Sequence, residues 1–67
     1  MTLIKAVGHR IAFTRRQKKM TQEDLAGEAE INRAFLSNIE NGKANFTIEM
    51  LEKISKALKV RPQDLLE

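Results

Sequence analysis

Two helix-start signals stand close together near the middle of this chain, and they leave room for little except a pair of short helices joined by a tight turn. Thr21-Gln22-Glu23-Asp24 has the pattern of a capping box, in which the Thr hydroxyl accepts from an orphan amide and the Asp carboxylate reaches back. Leu25, Ala26 and Ala29 follow as the inward positions of a helix ending near Glu30, and Glu23, Asp24 and Glu28 weight its N-terminal half as the helix dipole favours. Asn32 is the next good N-cap. Phe35, Leu36 and Ile39 form the apolar face of a helix that stops at Asn41-Gly42, where Gly can take the left-handed position after the last turn. Asn-Gly also suits a hairpin, but neither flank alternates apolar and polar residues.

The rest of the chain keeps the same helical period. Ile4, Val7 and Ile11, with Leu3, Ala12 and Phe13 beside them, recur three and four apart and predict a first helix over Leu3 to Lys19. Gly8 inside it costs about 1 kcal/mol against Ala, which points to close packing or a local adjustment of the helix at that position. Thr47 caps a fourth helix with the stripe Ile48, Leu51, Ile54, Ala57 and Leu58, and Lys56 and Lys59 complement the dipole at its end. Pro62 suits the first position of a brief fifth helix through Leu65 and Leu66. No segment reads as a strand, and the linkers are too short for a second domain. The expectation is an all-α, five-helix single domain over residues 1–67 that forms the entire protein.

Composition narrows the function classes. Leu, Ile, Val and Phe make up 18 of 67 residues, too many for a disordered tail. With no cysteine there is no disulfide, zinc finger or thiol nucleophile, and a single histidine, His9, cannot build a metal site alone. No metal or cofactor is expected. No apolar run approaches a membrane span or a signal peptide, so the expected compartment is the cytoplasm. A chain this short hardly encloses a substrate pocket, which argues against an enzyme.

The net charge of +3 conceals an asymmetry: residues 1–20 hold Lys5, Arg10, Arg15, Arg16, Lys18 and Lys19 with no acid, against 6 bases and 9 acids in the remaining 47 residues. A basic block suits a polyanionic partner, although a solvated helix face is the alternative. Two short capped helices, over about 21–41, behind a basic helix have the outline of a helix-turn-helix. In that motif the first helix lies across the DNA backbone with its N-terminal amides near a phosphate, and the second places its early side chains on base edges in the major groove. Ala26 and Ala29 supply the small residues needed where the helices cross.

The sequence resembles the Cro/repressor family of helix-turn-helix regulators, the XRE family. The resemblance is carried by Met20-Thr21-Gln22-Glu23-Asp24-Leu25-Ala26, by Leu36-Ser37-Asn38-Ile39-Glu40-Asn41-Gly42-Lys43, and by the block from Leu51 to Val60, and it covers about residues 7–66. Phe35 and Asn45-Phe46-Thr47-Ile48 look most similar to the controller proteins of restriction-modification systems. Glu30 departs from the family's turn Gly, Thr14 from a usual core Leu, and Ala44 from an Arg that often reaches DNA in controllers.

The resemblance, with helix geometry, implies residue roles. Arg33, Ala34, Ser37 and Asn38 share one stripe of the third helix opposite Leu36 and Ile39, and would meet bases: Arg33 on guanine, Asn38 on a base edge or phosphate, Ala34 against a thymine methyl. An ordinary wet face is the alternative. Thr21, Gln22, Arg15, Asn41, Lys43 and Asn45 would touch phosphates, and Arg15 and Glu40 match a pair that forms a structural salt bridge. The implied function is a sequence-specific transcription regulator, a homodimer on two-fold symmetric double-stranded DNA, with RNA polymerase as a further candidate partner. Phe46, Met50, Leu65 and Leu66, which exceed what the core stripe requires, are the expected dimer contacts. The rival reading is an antitoxin-like protein-interaction module with secondary DNA binding. An RNA-binding domain is disfavoured, since Phe13, Phe35 and Phe46 form no stacking platform.

Overall fold

Each long helix begins where the sequence offers a side-chain oxygen. The computed structural model describes residues 2–66, with helices α1 Leu3–Gln17, α2 Gln22–Ala29, α3 Arg33–Glu40, α4 Ile48–Leu58 and α5 Pro62–Leu66, and no strand among the described residues. The termini of the expected domain, residues 1 and 67, lie outside the described residues. Thr2, Thr21, Asn32 and Thr47 accept from the amides of Lys5, Asp24, Phe35 and Met50 at 3.2, 3.0, 3.1 and 3.1 Å. At Thr21 the box closes, because its own N–H donates to Asp24 Oδ2 at 2.9 Å. That amide, and then the Thr21 hydroxyl, hold the Asp24 carboxyl below its ordinary value.

The helix ends turn in the left-handed region. Lys19, Glu30 and Lys59 have φ of 59°, 58° and 61°, and Gly42 has 71°. Gly42 takes that conformation freely, whereas each of the other three carries the steric penalty of a Cβ against its carbonyl. Glu30 therefore adopts with strain the backbone for which the resembling family often uses Gly.

The core forms where α1 packs on α3 and α5, α2 on α3 and α4, and α4 on α5. Val7, Ile11, Leu25, Leu36, Ile39, Ile54, Leu58 and Leu65 are its fully enclosed large side chains, with Leu51 buried beside them. Gly8 permits the α1–α3 approach: a Cβ there would overlap the Ile39 carbonyl oxygen. Among the described residues, no helix is long and apolar enough to cross a membrane.

Two expectations from periodicity are exchanged. Ile48 was expected in the core stripe of α4 but is 73% exposed, because it stands in the first turn and the enclosed stretch starts one turn later at Leu51. Leu65 was expected at a dimer surface but is 1% exposed, because α5 folds back onto α1 and α4 and uses Leu65 to close the core. Leu65 is thus a core residue and offers no surface to a second copy. Arg61 fixes the start of that turn, its N–H and guanidinium donating to Asp64 at 3.1 and 3.2 Å.

Candidate nucleic-acid interface

Helices α2 and α3 pack together, and Ala26 and Ala29 of α2, only 4% and 3% exposed, are small side chains of the core beneath them. The turn between them is drawn tight by the Ile31 amide, which donates to the Ala26 carbonyl at 2.9 Å while Glu30 takes the left-handed conformation. With its entry fixed in this way, α3 directs Leu36, Ile39 and Glu40 inward and leaves Arg33, Ala34 and Asn38 exposed, with Ser37 half-buried between. The four residues proposed from sequence to meet bases thus share one outward stripe of the helix.

Beneath that stripe runs a polar chain. Arg15 Nε donates to Glu40 Oε2 at 2.8 Å and Nη2 to Glu40 Oε1 at 3.1 Å, while Nη1 donates to the Met20 carbonyl at 2.8 Å. Gln22 Nε2 reaches the same Glu40 Oε1 at 2.9 Å, and its Oε1 accepts from Arg33 Nη1 at 3.4 Å. Because the Glu40 carboxylate only accepts and the Arg33 guanidinium only donates, the Gln22 amide has one orientation that serves both. Among the described residues no buried side-chain nitrogen or oxygen lacks a partner, so this buried ion pair carries no unmet polar group. Arg15, with 8% exposure, stands on the structural side of the two roles the sequence suggested, and the basic block is accordingly divided: Lys5, Arg10, Arg16, Lys18 and Lys19 remain at the surface.

The residues expected at phosphates divide as well. Gln22 and Asn41 line one groove, Asn41 Nδ2 donates to the Ser37 carbonyl at 2.9 Å, and the Lys43 amide donates to the Asn38 carbonyl at 2.9 Å. Gln22, Asn41 and Lys43 are thereby joined to α3, while Thr21 caps α2 immediately before Gln22. Asn45 is not: its Oδ1 accepts from the Phe46 amide at 2.9 Å, and it lines a shallow groove of about 220 Å³ with Phe35, Phe46, Thr47 and Met50. Phe46 and Met50, half-buried in that groove, are two of the expected interface residues, and Leu66 is 47% exposed in α5. Sequence reading missed the Gln22 contacts with Glu40 and Arg33, which span eighteen and eleven positions and leave no local pattern. It also missed the exposure of Ile48, which the first-turn position after the Thr47 cap could have suggested.

This is the architecture of a DNA-binding helix-turn-helix regulator. Residues 8–67 match the family described as a helix-turn-helix domain, and the chain belongs to it, in the Cro/repressor branch of transcription regulators. It is similar to the control protein C.BamHI of Bacillus amyloliquefaciens, 47% identical over 51 residues that span 76% of this chain and 63% of that protein. It is also similar to the immunity repressor of Bacillus phage phi105, 36% identical over 82% of this chain and 38% of the repressor. The chain thus spans less than two thirds of either relative. The crystal structure of the restriction-modification controller protein C.AhdI from Aeromonas hydrophila superimposes with a TM-score of 0.89 at 30% identity, covering 94% of both chains.

Proposed function

We propose that the protein regulates transcription as a homodimer on a two-fold symmetric operator, with α3 in the major groove of each half-site. The observation that carries this reading is the outward stripe of α3, where Arg33, Ala34 and Asn38 are exposed while the opposite face is locked in the core. Arg33 is assigned a bidentate contact to guanine, Asn38 and Ser37 base edges, and Ala34 a thymine methyl. Thr21, Gln22, Asn41 and Lys43 are assigned to the flanking phosphates, where the N-terminal amides of α2 add a positive dipole end. Asn45, set apart from that cluster, is assigned a backbone contact only at the far edge. Arg15 acts from inside, holding Glu40 and through it Gln22.

A single α3 offers few base contacts, and two-fold pairing doubles them. Phe46, Met50 and Leu66 are the proposed interface, and Ile48, exposed beside the first two in sequence, replaces Leu65. Similarity to restriction-modification controllers favours regulation of such genes.

Anisotropy titration of duplex DNA tests the reading. If the dimer neutralises about six phosphates, affinity falls by about three orders of magnitude between about 50 and about 200 mM salt. A flat salt response would overturn it.

A further inference from the structure

The outer face of α1 has no part in the reading above, yet it holds an anomaly. Phe13, about one turn before the end of that helix, is 54% exposed and lies outside the core cluster. His9, Phe13 and Arg16 stand at helical spacing and form one wall of a groove of about 440 Å³ whose other wall is Gln22, Glu40 and Asn41. The acid in that wall is already matched, since both Glu40 oxygens accept from Arg15 and one also accepts from Gln22. Arg16 makes no ion pair among the described residues. The groove is therefore cationic at Arg16, apolar at Phe13, and continuous with two of the residues assigned to phosphates.

We propose that this groove seats the sugar-phosphate backbone of DNA flanking the operator, with Arg16 on a phosphate, His9 as a polar neighbour, and the Phe13 ring against a deoxyribose. The inference rests on the DNA-binding reading and extends it outward from Gln22 and Asn41. Charge complementarity and this continuity favour nucleic acid over a protein occupant, because a strand leaving Gln22 and Asn41 along α1 meets the guanidinium before any acid of that helix, which has none. The ring supplies what a phosphate-only site would not use, a flat apolar surface for the sugar.

The test uses an operator selected from random-sequence duplexes, prepared in two lengths. The shorter ends at the outermost base pair whose identity matters, and the longer adds about five pairs at each end, enough to lie beside α1 and bring further phosphates within reach. The wild type is expected to bind the longer duplex about three- to tenfold more tightly, an effect of the size that one added charge contact and modest apolar burial supply. Phe13→Ala and Arg16→Gln should each remove most of that gain while leaving affinity for the shorter duplex and the melting temperature unchanged. Arg16→Gln should also lower the salt slope by about one for each occupied groove on the longer duplex, and Phe13→Ala should leave the slope alone. No gain in the wild type, or a gain that survives both substitutions, would overturn the inference while leaving operator recognition by α3 intact. Loss of transcriptional output in Phe13→Ala with an undiminished gain would overturn it in favour of a protein contact at this face. Failure of the wild type to bind either duplex would remove the DNA-binding reading itself.

Discussion

The two faces of α3 answer to different demands. Inward, Leu36 and Ile39 are fully enclosed and Glu40 is held by Arg15 and Gln22. Outward, less than one turn away, Arg33, Ala34 and Asn38 meet solvent, and the side-chain bond of Arg33 to Gln22 is a long 3.4 Å. Both faces belong to eight residues. Packing specifies the first set, while the second is tied to the fold, among the described residues, by no side-chain bond but the long one from Arg33 to Gln22, and so is available to a ligand. Substitutions on the two faces should therefore separate into those that change stability and those that change binding.

The largest effect belongs at the contact that brings α3 against α1. Gly8→Ala places a methyl group on the Ile39 carbonyl oxygen, which is backbone and cannot swing aside. Overpacking of this kind costs about 3 kcal/mol, a large share of the stability of a domain this small, and urea denaturation should show the transition moved strongly to lower denaturant or lost. A Gly8→Ala protein as stable as the wild type would mean that the inward face is not held as described.

Glu40→Ala follows closely. It leaves the buried Arg15 guanidinium without its carboxylate, which costs about 3 kcal/mol, and it frees Gln22. Replacing both charges, as in Arg15→Met with Glu40→Leu, should recover most of the stability, since a buried pair and well-packed apolar side chains are often equivalent. If the double substitution is no better than Glu40→Ala in the same melt, the loss comes from backbone disturbance and not from the unpaired charge.

A smaller change of opposite sign is expected at the turn feeding α3. Glu30 occupies the left-handed region with φ of 58°, so Glu30→Gly should stabilise by about 1 kcal/mol through relief of the Cβ penalty, offset in part by added chain entropy. Thermal melting at equal concentration would detect it. A loss instead of a gain would show that the Glu30 side chain contributes more than its backbone strain removes.

The contrast between the faces also marks how far the sequence could be read. Caps at Thr21, Asn32 and Thr47, the left-handed Gly42 and the close approach at Gly8 were all legible, because each rests on chemistry local to a few residues. The outward stripe of α3 was legible for the same reason, being the complement of Leu36 and Ile39 on a helix of known period. Its assignment to DNA came from the family resemblance, not from the stripe, which alone fits a wet surface equally well. Periodicity failed at helix ends: it puts Ile48 on the same side as Leu51 but does not say where the neighbouring helices stop, and a single turn has no stripe to mark an inward side, so Leu65 is read as a dimer contact although it is buried. Left-handed Lys19 and Lys59 carry no Gly to announce them. The link from Glu40 through Gln22 to Arg33 joins α2 to both ends of α3 and is visible only once the two helices pack.

Arg33→Ala, profiled by selection and sequencing of bound duplexes beside a thermal melt, tests the separation of the two faces most directly. Arg33 is exposed and outside the core, so the melting temperature should hardly move. Loss of one bidentate guanine contact should cost about 1 to 3 kcal/mol of discrimination per half-site and flatten the preference at a single base pair, with non-specific binding nearly intact. An unchanged base preference, or a protein that melts much earlier, would contradict the account, since the outward face of α3 would then be either unread or part of what holds the fold.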